Sequence, residues 1–217
     1  MGLCDMLLTP KIALVAGGDW SPIETAFDLY VAVDRACLTL LEKKLPLDWA
    51  IGDFDSVSVL EREGIQAAAE QFTLAPAEKE DTDTELALKL IFEAYPEAQV
   101  TIFGAFGGRL DHLVSNLFLP SDPALAPFMA QISLVDSQNH ISYLSAGKHQ
   151  LFPKNERYIS FMLEGEGKLE ISGAKYELSA SNFFRKKIYS SNEFTNNPIE
   201  VTVPSGYLVV LRTRDRS

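Results

Sequence analysis

Apolar positions change rhythm along the chain, and the change divides it. In the first part, short unbroken apolar runs end abruptly at glycine or aspartate. Lys11-Ile-Ala-Leu-Val-Ala16 stops at Gly17-Gly18, Leu29-Tyr-Val-Ala-Val33 at Asp34-Arg35, and Trp49-Ala-Ile51 at Gly52. Such runs are how strands buried on both faces read. Between them, Leu38, Leu41 and Leu45 recur at helical spacing ahead of Pro46, predicting a helix over 36–45. Another helix is predicted from Thr82, where Thr82-x-x-Glu85 makes a capping box before Leu86, Leu90 and Ile91. Val100–Phe103 and Ile132–Val135 read as further strands. Strand and helix alternate, so the expected architecture is α/β: a mostly parallel sheet in three layers, with helices on its faces.

Beyond Asp136 the helical period fades. Strands are predicted over His140–Leu144, Tyr158–Leu163, Lys168–Ile171, Ile199–Val203 and Tyr207–Leu211, separated by Gly, Asn, Ser and Pro. That texture predicts an all-β sandwich. The chain is therefore expected to hold an α/β domain over 1–137 and a β-sandwich over 138–217.

Composition narrows the function classes. The 217 residues carry 19 basic and 30 acidic side chains, a formal net charge of -11. This balance argues against a protein that grips nucleic acid or anionic membrane. No apolar run is long enough to cross a bilayer. Cys4 and Cys37 form no disulfide or zinc spacing, which points to a reducing cytosol and a cytoplasmic location.

Candidate chemistry gathers where the runs end, and ligands on open α/β sheets bind beyond the carboxyl ends of strands. Asp34, Asp53 and Asp55 all fall at such ends. In extended backbone Asp53 and Asp55 would project from the same side and could share a hard cation such as Mg²⁺. They could equally be turn residues in Gly52-Asp-Phe-Asp-Ser56. Arg35 either answers a phosphate or opens a helix in solvent. Capping accounts for Thr82 and Glu85 but does not require Asp81 or Asp83. The stretch Gly104-Ala-Phe-Gly-Gly-Arg-Leu-Asp-His112 combines glycines, a cation and an anion at a strand end. Such a turn can cradle phosphate through backbone N–H groups and the Arg109 guanidinium, with Asp111 and His112 orienting a substrate. Its plain alternative is a loop in which Asp111 is the helix N-cap. In the second part, Tyr176 could stack on a flat heterocycle and Ser191 and Asn192 could read its edge, or all three could be ordinary turn residues.

The order of these motifs resembles the thiamin pyrophosphokinases, particularly the bacterial branch. Gly52-Asp-Phe-Asp-Ser56, Lys79-Glu-Asp-Thr-Asp83, Gly107-Gly-Arg-Leu-Asp-His112, Gly173-Ala-Lys-Tyr176 and Ser191-Asn-Glu193 carry the likeness across nearly the whole chain. The resemblance implies an α/β catalytic domain followed by a thiamin-binding β-sandwich, in a homodimer. It implies transfer of the pyrophosphoryl group of ATP to the hydroxyl of thiamin, releasing AMP. By position it implies Mg²⁺ at Asp53, Asp55 and Asp83, with Arg109 and Asp111 in the catalytic phosphate site. Arg35, Lys79, Gly107, Gly108 and His112 would then serve ATP, and Tyr176, Ser191 and Asn192 thiamin.

Three positions depart from the family pattern: Glu80 stands where an aspartate is common, Asp34-Arg35-Ala36 replaces Asp-Gly-Gly, and Tyr176 replaces a tryptophan. Two competing functions remain: a metal-dependent phosphatase or phosphotransferase with Asp53 as nucleophile, and a non-catalytic sensor of nucleotide or thiamin.

Overall fold

The computed structural model describes residues 9–23, 26–76 and 80–215. The chain divides into two compact units, Met1–Asp136 and Ser137–Ser217. The first is α/β. In chain order it holds β1 (Lys11–Val15), β2 (Leu29–Val33), α1 (Ala36–Glu42), β3 (Trp49–Gly52), α2 (Val59–Ala68), β4 (Gln71–Leu74), α3 (Asp83–Ala94), β5 (Gln99–Phe103), α4 (Leu110–Leu117) and β6 (Ile132–Val135).

The strands lie side by side as β6-β5-β1-β2-β3-β4, and every pairing between them is parallel. Alternate side chains go to opposite faces. Ala13, Val15, Tyr30, Ala32 and Ala50 share a core with Ala36, Cys37 and Leu40 of α1 and Ile65 of α2. Ile12, Leu14, Val31 and Ile51 are buried on the other side, where α3 packs on β2 and β3 with Leu88, Ile91 and Phe92 buried. Because both faces are covered, the strands read as unbroken apolar runs rather than alternating ones. From β1 the chain builds outward through β2, β3 and β4, then returns to place β5 and β6 on the other side. The order reverses between β1 and β5, which opens a crevice at the carboxyl ends of those strands.

Three elements differ from expectation. Helix α1 ends at Glu42 rather than 45, because Lys44 turns left-handed at φ +57° and Leu45 N–H closes onto Leu40 O at 3.0 Å. Helix α2 has a full capping box, with Ser58 and Glu61 each accepting the other's backbone N–H. It buries only Ile65, so its apolar period is faint. Strand β4 is a short edge strand with no buried residue.

The second unit is β-rich: β7 (Asn139–Leu151), β8 (Tyr158–Glu164), β9 (Glu170–Ser172), β10 (Tyr189–Asn192) and β11 (Ile199–Thr213). The two strands expected over 199–203 and 207–211 are one, broken in register between Val203 and Tyr207, around Pro204 and Gly206. Its first half pairs with β9 and its second with β8, while β7 runs alongside both. Ile159, Phe161, Leu169, Ile171, Val201, Leu208 and Val210 fill the core. Strand β10 lies where sequence reading placed only a polar island.

Candidate active site

The loops that follow β1 and β5 are joined by backbone bonds: Ala16 N–H to Phe103 O and Gly18 N–H to Gly104 O, each 2.8 Å, and Asp19 N–H to Phe106 O at 2.7 Å. The approach is too close for side chains. A Cβ on Gly18 would lie 2.1 Å from Phe106 O, and one on Gly107, at φ +86°, 2.4 Å from the Asp19 carboxyl carbon. Asn116, buried on α4, donates to Ala105 O at 3.1 Å and props the turn from behind. Gly17-Gly18 and Gly107-Gly108 thus form one wall of a cleft of about 680 Å³, which Arg109 and His112 also line.

Carboxylates line the same cleft. The register Val33↔Ile51 sets the end of β2 beside that of β3. Asp34, at φ +45°, accepts Phe54 N–H at 3.1 Å and lies so close to Gly52 that a Cβ there would sit 2.0 Å from Asp34 Oδ1. Its carboxyl is pushed up to about 7, first by burial, then by a hydrogen bond to Asp83 and the charge of that residue, with Asp53 adding to the effect. Burial and the neighbouring negative charge together keep the Asp34 carboxyl protonated well above the ordinary carboxylate range. Asp53, Asp83, Glu80 and Asp81 also line the cleft.

Within the 80–85 stretch the structure separates the roles. Thr82 and Glu85 complete the capping box of α3. Asp81 pairs with Lys89 at 2.7 Å, and Lys89 bridges to Asp122 at 2.7 Å. Asp83 faces Asp34.

Other predicted residues fall less simply. Asp53 and Asp55 do not share an extended face. Strand β3 ends at Gly52, and Phe54 takes φ +56° so that its ring is buried and stacked on Phe72 at 4.8 Å. Asp55 is left outside the cleft lining, with its N–H bonded to Asp53 Oδ1 at 3.1 Å. Asp111 is not the N-cap of α4; Arg109 holds that place, and Asp111 sits in the first turn. Its carboxylate instead grips Arg109 by two bonds, 3.1 Å from Nε and 2.5 Å from Nη2. The guanidinium holds Asp111 below the usual carboxylate range, which makes it a poor proton acceptor. Arg35 lines the cleft and reaches Ser56 O at 3.3 Å. Lys79 lies outside the described residues. Asp34 was visible in the sequence only as one of several strand-end carboxylates; the β2–β3 register is what selects it.

In the second unit, Tyr176, Ser191 and Asn192 do come together. Asn192 is 3% exposed and clamps the Tyr176 backbone, accepting its N–H at 2.9 Å and donating to its carbonyl at 2.8 Å. Ser191, at φ +59°, gives its N–H to Ser160 Oγ at 3.0 Å. The Tyr176 ring is left 60% exposed, with Lys175 Nζ 5.5 Å from its centroid and held by Glu193 at 2.6 Å.

Comparison with known proteins accounts for both units. Residues 23–124 match the catalytic domain of thiamin pyrophosphokinase, and residues 148–208 match its vitamin B1 binding domain. Over 214 residues the chain is 33% identical to the thiamine pyrophosphokinase of Bacillus subtilis (strain 168), covering 94% of this chain and 99% of that one. The chain belongs to the thiamin pyrophosphokinase family. Among solved structures, a thiamin pyrophosphokinase family protein from Enterococcus faecalis superimposes with a TM-score of 0.88 at 39% identity, covering 95% of this chain and all 100% of that one. The Bacillus subtilis thiamine pyrophosphokinase gives 0.77 at 32% identity, covering 95% of this chain and 100% of the other. The family's catalytic match contains the acidic wall and the Gly107–His112 turn, and its vitamin B1 match contains Tyr176, Ser191 and Asn192.

The donor set suits the Mg²⁺ that the family resemblance implies. Among the described residues no three His, Cys, Asp or Glu side chains are grouped so as to hold a metal by themselves. Mg²⁺ is commonly held by one or two carboxylates together with substrate phosphates and water. Asp34, raised by burial and hydrogen-bonded to Asp83, sits in an all-oxygen acidic site of the kind that a hard divalent cation relieves.

Proposed function

We propose that this chain transfers the pyrophosphoryl group of ATP to the hydroxyl of thiamin, giving thiamin diphosphate and AMP. One observation carries the reading. At the strand-order reversal, one cleft is lined both by Gly17-Gly18, Gly107-Gly108 and Arg109 and by carboxylates whose charge, added to burial, raises Asp34 to about 7. Such a cleft suits a polyphosphate carrying a divalent cation.

Asp34 and Asp83 would supply carboxylate oxygens to Mg²⁺, with Asp53 adding negative charge beside them, and the cation would neutralise charge on the phosphates. The Gly17-Gly18 and Gly107-Gly108 turns bring bare backbone up to phosphate oxygens. Arg109, pre-aimed by Asp111, supplies positive charge, with Arg35 and His112 further along the wall. In the reaction the thiamin alcohol oxygen bonds to the β-phosphorus, the bond from that phosphorus to the α-phosphate oxygen breaks, and AMP leaves with the electron pair. The alcohol proton passes to solvent. A loose transition state asks for positioning and charge neutralisation rather than a strong base, which agrees with the weak basicity of Asp111.

Thiamin is assigned to the β unit, where the exposed Tyr176 ring offers a stacking face and Asn192 fixes the backbone beneath it. Asn192 therefore acts as a positioning residue. A homodimer and a cytoplasmic location complete the proposal. The first rests on family resemblance and is checked by sedimentation; the second rests on the cysteine usage. No helix among the described residues is long and apolar enough to cross a membrane.

The deciding experiment follows AMP and thiamin diphosphate from ATP and thiamin, with and without Mg²⁺. Equal amounts of both products, formed only with Mg²⁺, support the reading. Trapping of an acyl phosphate on Asp53 would favour a phosphatase instead, and tight binding of both substrates without AMP would favour a sensor.

A further inference from the structure

Just before β10 the chain runs Phe183-Phe-Arg-Lys-Lys187, three consecutive cations in a chain whose formal net charge is -11. The acidic excess lies in the first unit; over 137–217 basic side chains outnumber acidic ones. Together with the turn that follows β8, this segment lines a pocket of about 310 Å³ made by the second unit alone. Leu163, Phe183 and Tyr189 supply its apolar lining and pack against the core of that unit. Arg185, Lys186 and Lys187 line it as well, with Glu164 as the one carboxylate. Lys187 pairs with Glu164, whereas Arg185 and Lys186 are exposed and have no ion pair among the described contacts. Both lining segments are held by bonds within the unit. Tyr189 Oη donates to Phe184 O at 2.7 Å, and Lys168 Nζ lies 5.5 Å from the Phe183 ring centroid. In the turn after β8, Ser205 Oγ accepts Glu166 N–H at 2.8 Å and donates to Glu166 O at 2.7 Å.

We propose that this pocket binds a phosphate monoester carried on a flat aromatic group, a ligand of nucleoside monophosphate size, with Arg185 and Lys186 holding the phosphate and Phe183 and Tyr189 packing on the ring. Three cations against one carboxylate leave the lining with an excess of two positive charges. A phosphate monoester matches that, with a charge of about -1.5 to -2 near neutral pH. The Arg185 guanidinium offers paired N–H donors of the spacing that phosphate oxygens accept. Aromatic surface beside the cations favours an ester with a ring over an inorganic ion. The space lies at the lower end of small-molecule sites, roughly 300–1,000 Å³, which leaves little room for a longer polyphosphate ester. The pocket is distinct from the residues assigned to thiamin: Tyr189 at the start of β10 belongs to it, whereas Asn192 at the end of β10 clamps Tyr176. AMP and the monophosphate of thiamin share the required chemistry. The second also carries a ring cation, which the basic lining disfavours.

Calorimetry in EDTA with AMP, adenosine, inorganic phosphate and thiamin monophosphate tests the site. Wild type is expected to bind AMP on the order of tenfold more tightly than adenosine or phosphate alone. The double change Arg185→Ser and Lys186→Ser is expected to weaken AMP on the order of tenfold, and Arg109→Ser, in the cleft of the first unit, to leave it within about twofold. AMP binding untouched by the double change, or lost with Arg109→Ser instead, overturns the proposal, as does phosphate that binds as tightly as AMP. Thiamin monophosphate that binds more tightly than AMP and responds to the same double change supports the pocket with the thiamin ester as its ligand. Should the double variant melt early, salt decides in the Arg109→Ser protein. Raising ionic strength from about 0.05 to about 0.5 M should weaken AMP on the order of fivefold and leave adenosine unchanged. Equal salt responses of AMP and adenosine overturn the proposal. No turnover is read in these measurements, so a chain that forms no AMP from ATP and thiamin would lose the proposed reaction and keep the pocket.

Discussion

Replacing Asp34 by Asn should stabilise the metal-free protein near pH 8 while abolishing its activity. Burial, Asp83 and Asp53 raise the Asp34 carboxyl from its ordinary 3.8 to about 7. The folded chain therefore holds a proton through a range in which the unfolded chain has released it. The stability that this proton confers is complete below about pH 4 and is lost as pH rises through about 7. A span of about 3 pH units at 1.36 kcal/mol each gives an upper bound of about 4 kcal/mol. Asp34 keeps some contact with water, so about 2 kcal/mol is the working figure. The asparagine keeps an oxygen for Phe54 N–H in the same space beside Gly52 and removes the charge. The assay is thermal unfolding in EDTA from pH 4 to 8, taken as the difference between wild type and variant, which cancels the other carboxylates. The difference should be small at pH 4 and grow in favour of the Asp34→Asn protein by about 4–8 °C at pH 8, at about 2–4 °C per kcal/mol for a chain of this size. Mg²⁺ added at pH 8 should raise the wild-type transition and barely move the variant's. Parallel wild-type and variant curves, or a variant less stable at pH 8, would refute the account of the acidic wall.

Other outcomes follow from the same geometry. Asp53→Asn should lower turnover on the order of 100-fold, against less than about tenfold for Asp55→Asn, whose carboxylate lies off the cleft; initial rates at saturating substrates separate them. Gly107→Ala forces a Cβ into the Asp19 carboxylate at φ +86°, so it should destabilise by about 1–2 kcal/mol and raise the KM for ATP on the order of tenfold, read by urea unfolding and steady-state kinetics. Burial, with Lys154 and Arg212 adding, holds His140 below its usual value despite the opposing pull of Glu156. Stability from the β unit should therefore be complete above about pH 6.5 and fall as pH drops; His140→Asn should flatten the difference between denaturation midpoints at about pH 7.5 and 5.

The strands of the first unit were legible because burial on both faces writes them as apolar runs. Helix α3 was legible because Thr82 and Glu85 are a local signal. Helix α2 and β4 were not, since one buried residue and an exposed edge leave no period to detect. In the site, the Gly107–Arg109 turn could be read from composition alone. The acidic wall could not, because partners depend on strand register: Asp34 meets Asp83 across a distance of 49 residues that no local pattern encodes. The expected shared face of Asp53 and Asp55 failed for a related reason. Alternation along a strand says nothing about where the strand stops, and burial of Phe54 on Phe72 stops it at Gly52. Asn192 presents the opposite case, in which residue type suggested a ligand contact and the fold uses the amide to clamp its neighbour.

The first turn of α3 has an evolutionary consequence. Thr82 and Glu85 start the helix, Glu85 also takes a hydrogen bond from Ser115 of α4 at 3.3 Å, Asp81 is tied to Lys89, and Asp83 belongs to the cleft. Nearly every position in this segment answers to helix start and site chemistry together, and neither can drift without disturbing the other. Among the acidic residues of this segment that line the cleft, Glu80 has no cap or ion pair to maintain among the described contacts. Its side chain is one methylene longer than that of an aspartate. Exchange of Glu80 for aspartate would therefore change the reach of the acidic wall without putting the start of α3 at risk.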